Sequence, residues 1–338
     1  MPPILHLPDN AKQPAPRLDA LRRMQLAMGP LPEGTRRLAP LWDVLEEHRD
    51  RDVVRRNVRF AVERDGRGKV TDWCSAWWLE AAQAPGGDRE RPAMLCLHQT
   101  TRVGKDEPAG LAGREDLHYA LELARQGFVC LAPDYPRYNS YTTDPYALGY
   151  ASATMKGIWN HSVALDVLIR LPDVDAARVG CIGHSLGAHN ALFLAAFDPR
   201  VAAVVSSCGF NAFAWNDNEG RGEPGDLSDW SHRGYMPWIA ERFHRRAENM
   251  PFDFDDVLAS IAPRPVFINA PLRDFMRIEG VRATLAQVES RFGPGQLEAV
   301  HPDCEHSFPE DARRAAYDFL HRHLATPSAN RAAGPTAP

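Results

Sequence analysis

The chain has 338 residues, of which 44% are hydrophobic, 25% charged and 9% aromatic. This length and composition predict a soluble globular protein with one large α/β domain or two smaller ones, and they exclude a disordered or fibrous chain. The net charge is −5 and the 39 lysine and arginine residues are scattered along the chain, so we expect no nucleic-acid partner.

Targeting and membrane signals are weak. The longest apolar run, Ala191 to Phe197, is much shorter than the roughly 20 residues of a membrane-spanning helix. The first ten residues lack the basic start and apolar core of a secretory leader, so we predict a cytoplasmic protein. The six cysteines are widely spaced without a C-x-x-C pair, and we interpret them as free thiols in a reducing compartment.

The two ends of the chain differ from its centre. Residues 1–55 show helical patterns at 17–28 and around 41–45, and we interpret them as an N-terminal helical extension. Residues 326–338 are mostly alanine, proline, serine and glycine, which predicts a disordered tail. The catalytic domain is therefore expected within residues 56–325.

That domain begins with two runs of alternating apolar and polar residues, 56–63 and 71–79, which predict an antiparallel hairpin. After Pro92 the pattern changes to short apolar runs that alternate with helical segments. The apolar runs are 93–97, 128–132, 179–182, 201–205, 265–268 and 296–300, and the helical segments are 117–126, 158–171, 188–197 and 310–324. This alternation predicts an α/β fold with a doubly wound, mostly parallel sheet.

Two long connections, 134–157 and 209–261, would leave the carboxyl ends of strands, where open α/β sheets bind their ligands. The first holds five of the eight tyrosines, and the second is rich in tryptophan and phenylalanine. We interpret both as cap insertions over a site. The aromatic residues that we expect to contact a substrate are Tyr135, Tyr138, Trp215, Trp230 and Tyr235.

The strongest chemical motif is Gly183-His-Ser-Leu-Gly187, which lies between a predicted strand and a predicted helix. A tight strand-to-helix turn needs small flanking residues, and it exposes the central hydroxyl above the sheet edge. We therefore predict that Ser185 is a nucleophile.

A serine nucleophile needs a histidine base and a carboxylate that orients it, and in this type of fold they follow in the order serine, acid, histidine. Asp274 follows the run 265–268, and His306 lies in a loop before the last helix. We expect these two residues to complete the triad. The weaker candidates are His301 for the base and Asp255, Asp256 and Asp303 for the acid.

The tetrahedral intermediate also needs two N–H donors. One is expected from the backbone of Leu186, the first residue after the nucleophile. The other is expected from Gln99 or Thr100, in the loop after the run 93–97. We interpret the neighbouring His98 as a packed residue that anchors this loop.

The sequence resembles the α/β-hydrolases, and among them the bacterial dienelactone-hydrolase-like and acetyl-xylan-esterase-like group. The resemblance covers about residues 15–325, and it is carried by the segments 98–101 with 104–110, 132–136, 183–187, 261–265 and 303–306. It implies a serine carboxylesterase that uses no cofactor or metal. The chain departs from dienelactone hydrolases, whose nucleophile is a cysteine where this chain has Ser185, and from glucuronoyl esterases, whose arginine is replaced by Leu186.

We therefore expect hydrolysis of small or short-acyl carboxylic esters, such as acylated sugars or aromatic esters, with the small ester as the binding partner. A thioesterase, amidase or peptidase with the same triad remains an alternative, as does a non-catalytic ligand-binding protein. A third alternative is an oligomeric scaffold that exchanges its N-terminal helices, and a homo-oligomer is left open. A metal site of His301, Asp303 and His306 is disfavoured, because no second pair lies at ligand spacing.

Overall fold

A nine-stranded sheet is the centre of the fold in the computed structural model, which describes residues 15–83 and 90–325. Its strand order is β1-β2-β3-β5-β4-β6-β7-β8-β9. The strands are β1 Trp42–Arg49, β2 Val53–Arg64, β3 Val70–Ala81, β4 Arg91–Leu97, β5 Val129–Pro133, β6 Val174–His184, β7 Ala203–Ser207, β8 Val266–Asn269 and β9 Leu297–Val300. The helices are α1 Ala15–Met28, α2 Tyr119–Arg125, α3 Ala153–Leu168, α4 Leu186–Phe197, α5 Trp238–Phe243, α6 Phe254–Ile261, α7 Ile278–Val288 and α8 Glu310–Leu320.

The part of the sheet from β5 to β9 is parallel throughout, as the alternating pattern predicts. Its central strands are almost continuously apolar because helices cover both faces. Successive residues of β4 point to opposite faces, so Leu95 joins the core under α3 and α4 while Cys96 joins the core under α2 and α8. The α/β fold with a doubly wound, mostly parallel sheet that the sequence predicts is confirmed.

The N-terminal part differs from the prediction. The predicted hairpin is present as the antiparallel pair β2 and β3, but the helix expected around 41–45 is wrong, because this segment forms the edge strand β1. Trp42 pairs with Phe60 of β2, and Val44 pairs with Val58. Two apolar residues at alternate positions are too few to distinguish a strand from a helix in the sequence. The boundary at residue 55 also falls inside β2. Among residues 15–55 of this region, which the structure describes, only α1 is helical, and it packs on α5 and α6.

The two predicted cap insertions have different structures. The segment 134–157 already contains the start of α3, whereas 209–261 carries α5 and α6 within a largely irregular path. Helices α5, α6 and α7 had not been predicted. The tail predicted at 326–338 lies outside the described residues. In the described ranges, no helix combines the length and the apolarity that a membrane span requires.

Candidate active site

Ser185 lies on a sharp turn between β6 and α4. Its backbone angles, φ 52° and ψ −117°, are strained for a residue with a side chain, and its amide donates to the carbonyl of Ser207 at 2.8 Å. A Cβ on Gly183 would lie 2.2 Å from the backbone of Gly187, so the turn can form only with glycine at this flank. The predicted strand-turn-helix setting of the serine is thus present, and such a turn exposes the hydroxyl above the sheet edge.

His306 and Asp274 are in direct contact. Nδ1 of His306 lies 2.9 Å from Oδ1 of Asp274, which also accepts a hydrogen bond from the amide of Met276 at 3.1 Å. Asp274 follows β8 and is only 8% exposed, whereas His306 lies in the loop after β9. The ring of Phe275 stacks on the imidazole with centroids 4.4 Å apart. The carboxylate therefore fixes the Nδ1–H tautomer and leaves Nε2 as the basic nitrogen.

Ser185 and His306 line the same cavity, which has a volume of about 340 Å³. The residues around it are Gln99, Thr100, Ser185, His189, Glu219, Arg221, Asp229, Trp230, His232, Tyr235, Phe275, Met276 and His306. Within the described chain, Ser185 Oγ makes no hydrogen bond to His306. Catalytic hydrogen bonds are often long without a substrate and shorten when one is bound.

The weaker candidates for base and acid lie elsewhere. His301 places Nδ1 3.0 Å from a backbone carbonyl just after β8, and it does not line the cavity. Asp303 is exposed beside an arginine, and Asp255 and Asp256 lie on α6, where Asp256 pairs with an arginine of α1. The structure therefore brings only the favoured acid together with His306.

The two predicted oxyanion segments lie side by side. A Cβ on Gly187 would be 1.9 Å from the carbonyl oxygen of Leu97, so the start of α4 packs directly on the end of β4. Leu186 is the first residue of α4, where a helix amide has no acceptor within the helix. Gln99 and Thr100 follow β4 and line the cavity. This arrangement places backbone donors from two segments near the nucleophile.

His98 anchors the loop after β4. Its Nε2 accepts from the amide of Tyr135 at 2.9 Å, and its Nδ1 donates to the carbonyl of Gln99 at 2.6 Å. Burial lowers the pKa of this imidazole, in agreement with a neutral ring that both donates and accepts. The loop in which the second oxyanion donor is predicted is therefore fixed by a side chain that itself lies outside the cavity.

A second buried histidine, His184, lies behind the triad, with its ring centroid 4.8 Å from that of His306. These two imidazoles and the thiol of Cys208 are close enough to resemble a metal site. However, burial and the nearby Asp274 raise the pKa of the thiol, which donates to the carbonyl of Ser307 at 3.4 Å. Nδ1 of His184 lies 2.9 Å from the hydroxyl of Ser207, and Nδ1 of His306 faces Asp274. In the described chain, the three groups thus have hydrogen-bond partners within the protein itself.

The structure separates the five aromatic residues expected to contact a substrate. Trp230 and Tyr235 line the cavity. Tyr135 is buried behind it, where its hydroxyl donates to a backbone carbonyl of the second insertion, and Tyr138 packs edge-on against the anchoring histidine. Trp215 is 46% exposed and does not line the cavity. The first insertion therefore supports the second one, and of the two insertions only the second contributes residues to the cavity lining.

Sequence reasoning missed the polar lining of the cavity, which we define as His189, Glu219, Arg221, Asp229 and His232. His189 could have been found, because it lies four residues after Ser185 and thus on the same side of α4. Burial lowers the pKa of His189 to about 3. Within the described residues, neither ring nitrogen of His189 has a hydrogen-bond partner of ordinary geometry, and the ring makes only a weak contact with the Gly209 backbone. Burial also raises the pKa of Asp229 to about 6.

Comparison with known proteins shows similarity to carbohydrate esterases. A family model described as "Glucuronyl esterase, fungi" matches residues 139–287. The carbohydrate esterase MZ0003 from an unknown prokaryotic organism is 29% identical over 150 residues, which are 41% of this chain and 33% of that protein. The match thus spans about a third of the length of this curated relative.

Two solved structures cover nearly the whole chain. The glucuronoyl esterase from Solibacter usitatus aligns with a TM-score of 0.68 at 17% identity, over 96% of this chain and 97% of that one. The acetyl xylan esterase from Paenibacillus sp. R4 aligns with a TM-score of 0.61 at 16% identity, over 96% of this chain and 97% of that one. The likeness to dienelactone hydrolases stays a prediction. The chain has the α/β-hydrolase fold of these esterases, and its segment 139–287 is similar in sequence to the fungal glucuronyl esterases.

Proposed function

We propose that this protein is a serine hydrolase that cleaves carboxylic esters through an acyl-enzyme on Ser185. The observation that carries the proposal is the 2.9 Å contact between His306 Nδ1 and Asp274 Oδ1, made at the cavity that also holds the strained serine. A base oriented by a carboxylate beside a serine on such a turn is the arrangement that activates a hydroxyl.

In the acylation half-reaction, Nε2 of His306 takes the proton of Ser185 Oγ as this oxygen attacks the ester carbonyl carbon. The resulting oxyanion is held by the amides of Leu186 and of Gln99 or Thr100. The C–O bond to the alcohol then breaks, and the imidazolium returns its proton to the leaving oxygen. Asp274 stabilises the imidazolium throughout.

Deacylation repeats these steps with water. His306 takes a proton from the water molecule, whose oxygen attacks the acyl carbon of the ester on Ser185. The second tetrahedral intermediate collapses, the carboxylic acid leaves and Ser185 Oγ recovers its proton from the imidazolium. The reaction needs neither a metal nor a redox cofactor, because every proton moves between the triad, substrate and water.

The cavity favours a small substrate. Its volume of about 340 Å³ is close to the lower end of the range for small-molecule sites, roughly 300–1,000 Å³. The lining close to His306 is apolar, because Phe275 stacks on the imidazole and Met276, the next residue, also lines the cavity. A short acyl or compact aromatic group fits such a space better than a long acyl chain.

The polar lining supports a hydroxylated substrate. His189 lies 4.8 Å from the ring of Trp230 and 5.3 Å from that of Tyr235, centroid to centroid, so donors, acceptors and flat apolar faces are clustered. Sugar rings present hydroxyl groups at their edges and C–H groups on their faces, which match such a cluster. We propose a sugar ester with a small acyl or alcohol group, a class that includes the carbohydrate esters named for the similar proteins.

The experiment is turnover of matched substrates: nitrophenyl acetate, nitrophenyl octanoate, an acetylated xylose and the methyl ester of glucuronic acid. We expect the acetate to be cleaved faster than the octanoate and a sugar ester to have the lowest KM. Ser185→Ala should abolish turnover while the far-UV circular dichroism stays unchanged, and Ser140→Ala serves as a control serine outside the cavity. Unimpaired turnover by Ser185→Ala would contradict the proposal.

The alternatives have separate tests. Rates on an ester, a thioester and an amide of the same acyl group distinguish an esterase from a thioesterase, amidase or peptidase. A pure ligand-binding role is less favoured, because binding alone needs no carboxylate-oriented histidine. Helix exchange between subunits would transfer the packing of α1 from α5 and α6 of its own chain to those of a partner, and the mass in solution tests this and the open homo-oligomer.

The cellular location also stays a proposal. All six cysteines lie in the described residues and are free, and five of them are buried. Free thiols are typical of reducing compartments and support the cytoplasmic placement. Fractionation of cells that express the full-length gene would test it.

A further inference from the structure

A buried carboxylate lies behind the oxyanion loop. Glu107 is 2% exposed, and its Oε1 accepts hydrogen bonds from Nε2 of Gln99 and from the amide of Arg114, both at 3.1 Å. Gly113 packs directly on this carboxylate, because a Cβ there would lie 2.4 Å from the same oxygen. One oxygen atom therefore joins the loop after β4 to the backbone of Arg114.

The side chain of Arg114 reaches the catalytic histidine loop. Its Nη1 donates to the carbonyl oxygen of His306 at 3.2 Å, and its Nη2 donates to Oγ of Ser307 at 3.2 Å. Asp116 holds the guanidinium through Nε at 3.0 Å and through Nη2 at 2.5 Å, and it also accepts from the Ser307 hydroxyl at 2.9 Å. The bidentate pairing fixes the plane of the guanidinium.

The loop that carries His306 is also held on its other side, by residues at the ends of sheet strands. The carbonyl oxygen of Ser307 accepts from Nδ2 of Asn269, at the end of β8, at 2.9 Å and from the thiol of Cys208 at 3.4 Å. The sheet thus fixes one end of this peptide, and Arg114 fixes the carbonyl of His306 before it. Without Arg114, the carbonyl of His306 would lose this hydrogen bond, and on this side the loop would keep only the contact between the Ser307 hydroxyl and Asp116.

We propose that Glu107 and Arg114 are positioning residues that form one bridge between the oxyanion loop and the His306 loop. This inference rests on the proposed ester hydrolysis. Neither residue lines the cavity, so the bridge acts through Gln99 on one side and through the His306 backbone on the other. It sets the distance between the base and the oxyanion donors.

Removal of the bridge should change catalysis without changing substrate affinity. A displacement of about 1 Å can cost about a hundredfold in rate. We therefore expect Arg114→Met to lower kcat by about ten- to a hundredfold while KM changes less than about twofold. Arg114→Lys should recover only a small part of this loss, because a single ammonium cannot reproduce the planar bidentate contact.

Arg125→Met is the matched control, because Arg125 has a similarly exposed side chain, 49% against 44%, and pairs with an aspartate on the surface. An unchanged kcat in Arg114→Met, or an equal loss in Arg125→Met, would overturn the positioning role. An increase in KM at constant kcat would also overturn it, because that result assigns Arg114 to substrate binding.

Hydrogen exchange tests the bridge independently of activity. We expect Arg114→Met and Glu107→Ala each to speed amide exchange in both segments, 98–102 and 301–309, by about threefold or more, with no change in Arg125→Met. Faster exchange in only the segment next to each substitution would overturn the bridge. If the unsubstituted protein neither cleaves esters nor reacts with a fluorophosphonate, the proposed function fails, whereas the exchange data still decide the bridge.

Discussion

Gly187 lies against Leu97 so closely that a Cβ on the glycine would be 1.9 Å from the carbonyl oxygen of the leucine. This contact brings the first turn of α4 onto the end of β4. It is the reason that Leu186, the residue after the nucleophile, lies beside the loop whose Gln99 and Thr100 line the cavity.

Gly187→Ala should therefore be severely destabilising or inactive. In an unconstrained helix the same substitution is favourable by about 1 kcal/mol, so the sign of the effect reports the contact with the backbone of β4. Gly66→Ala is the control, because no heavy atom lies within 4 Å of its added Cβ. Thermal unfolding and ester turnover measure the outcome, and a stabilised, active Gly187→Ala protein would refute the close contact.

Asp274→Asn should lower kcat by about a thousandfold or more with little change in KM. The amide preserves the size of the side chain but cannot stabilise the imidazolium, and it favours the wrong tautomer of His306. Asp303→Asn, at an exposed position paired with Arg273, should retain full activity. Equal activity of both variants would show that another carboxylate orients the base.

The carboxyl group of Asp229 should make sugar binding dependent on pH. Burial raises its pKa to about 6, so the ionised form, the stronger acceptor for hydroxyl groups, gains population as the pH rises through that value. We expect the affinity of the Ser185→Ala protein for a sugar ester to increase between pH 5 and pH 7. The added substitution Asp229→Asn should remove this increase, and calorimetric titration would measure it. Retention of the increase in the double variant would exclude Asp229 as its source.

Ionisation of Asp253 should reduce the stability of the folded protein at neutral and alkaline pH. It precedes α6 and accepts from the amides of Phe254 and Phe213, yet burial raises its pKa from 3.8 to about 7. The folded state thus binds more protons than the unfolded state between these values, so the free energy of unfolding falls as the pH rises from about 4 to about 7.

Asn at this position imitates the protonated carboxyl. We therefore expect Asp253→Asn to raise the Tm by about 2–5 °C at pH 8. The gain should shrink at pH 5, where the native aspartic acid is already largely protonated. A gain of the same size at both pH values would show that the substitution acts through packing rather than through proton binding.

The sequence predicted the parallel sheet, and it predicted that the three candidate triad residues follow strands, because both features come from local patterns. Short buried strands give continuous apolar runs, and Ser185, Asp274 and His306 each follow such a run. The edge strand β1 was missed because only Trp42 and Val44 carry its alternation, while most of its residues are exposed.

The polar lining could not be read from local patterns. Asp229 and His232 lie in irregular chain between strands, so no periodicity places them near Ser185. Trp215 and Trp230 looked equivalent in the sequence, yet only Trp230 faces the cavity. The bridge of Glu107 and Arg114 likewise depends on contacts between segments about 190 residues apart, which a sequence pattern does not record.

Reaction of the purified protein with a fluorophosphonate, followed by intact mass and peptide mapping, shows whether Ser185 is an activated nucleophile. An assembled triad predicts one adduct per chain, located on Ser185, with the reaction abolished in Ser185→Ala and strongly slowed in His306→Ala. Failure of the folded protein to react, or an adduct on a different residue, would contradict the assignment of Ser185 as an activated nucleophile.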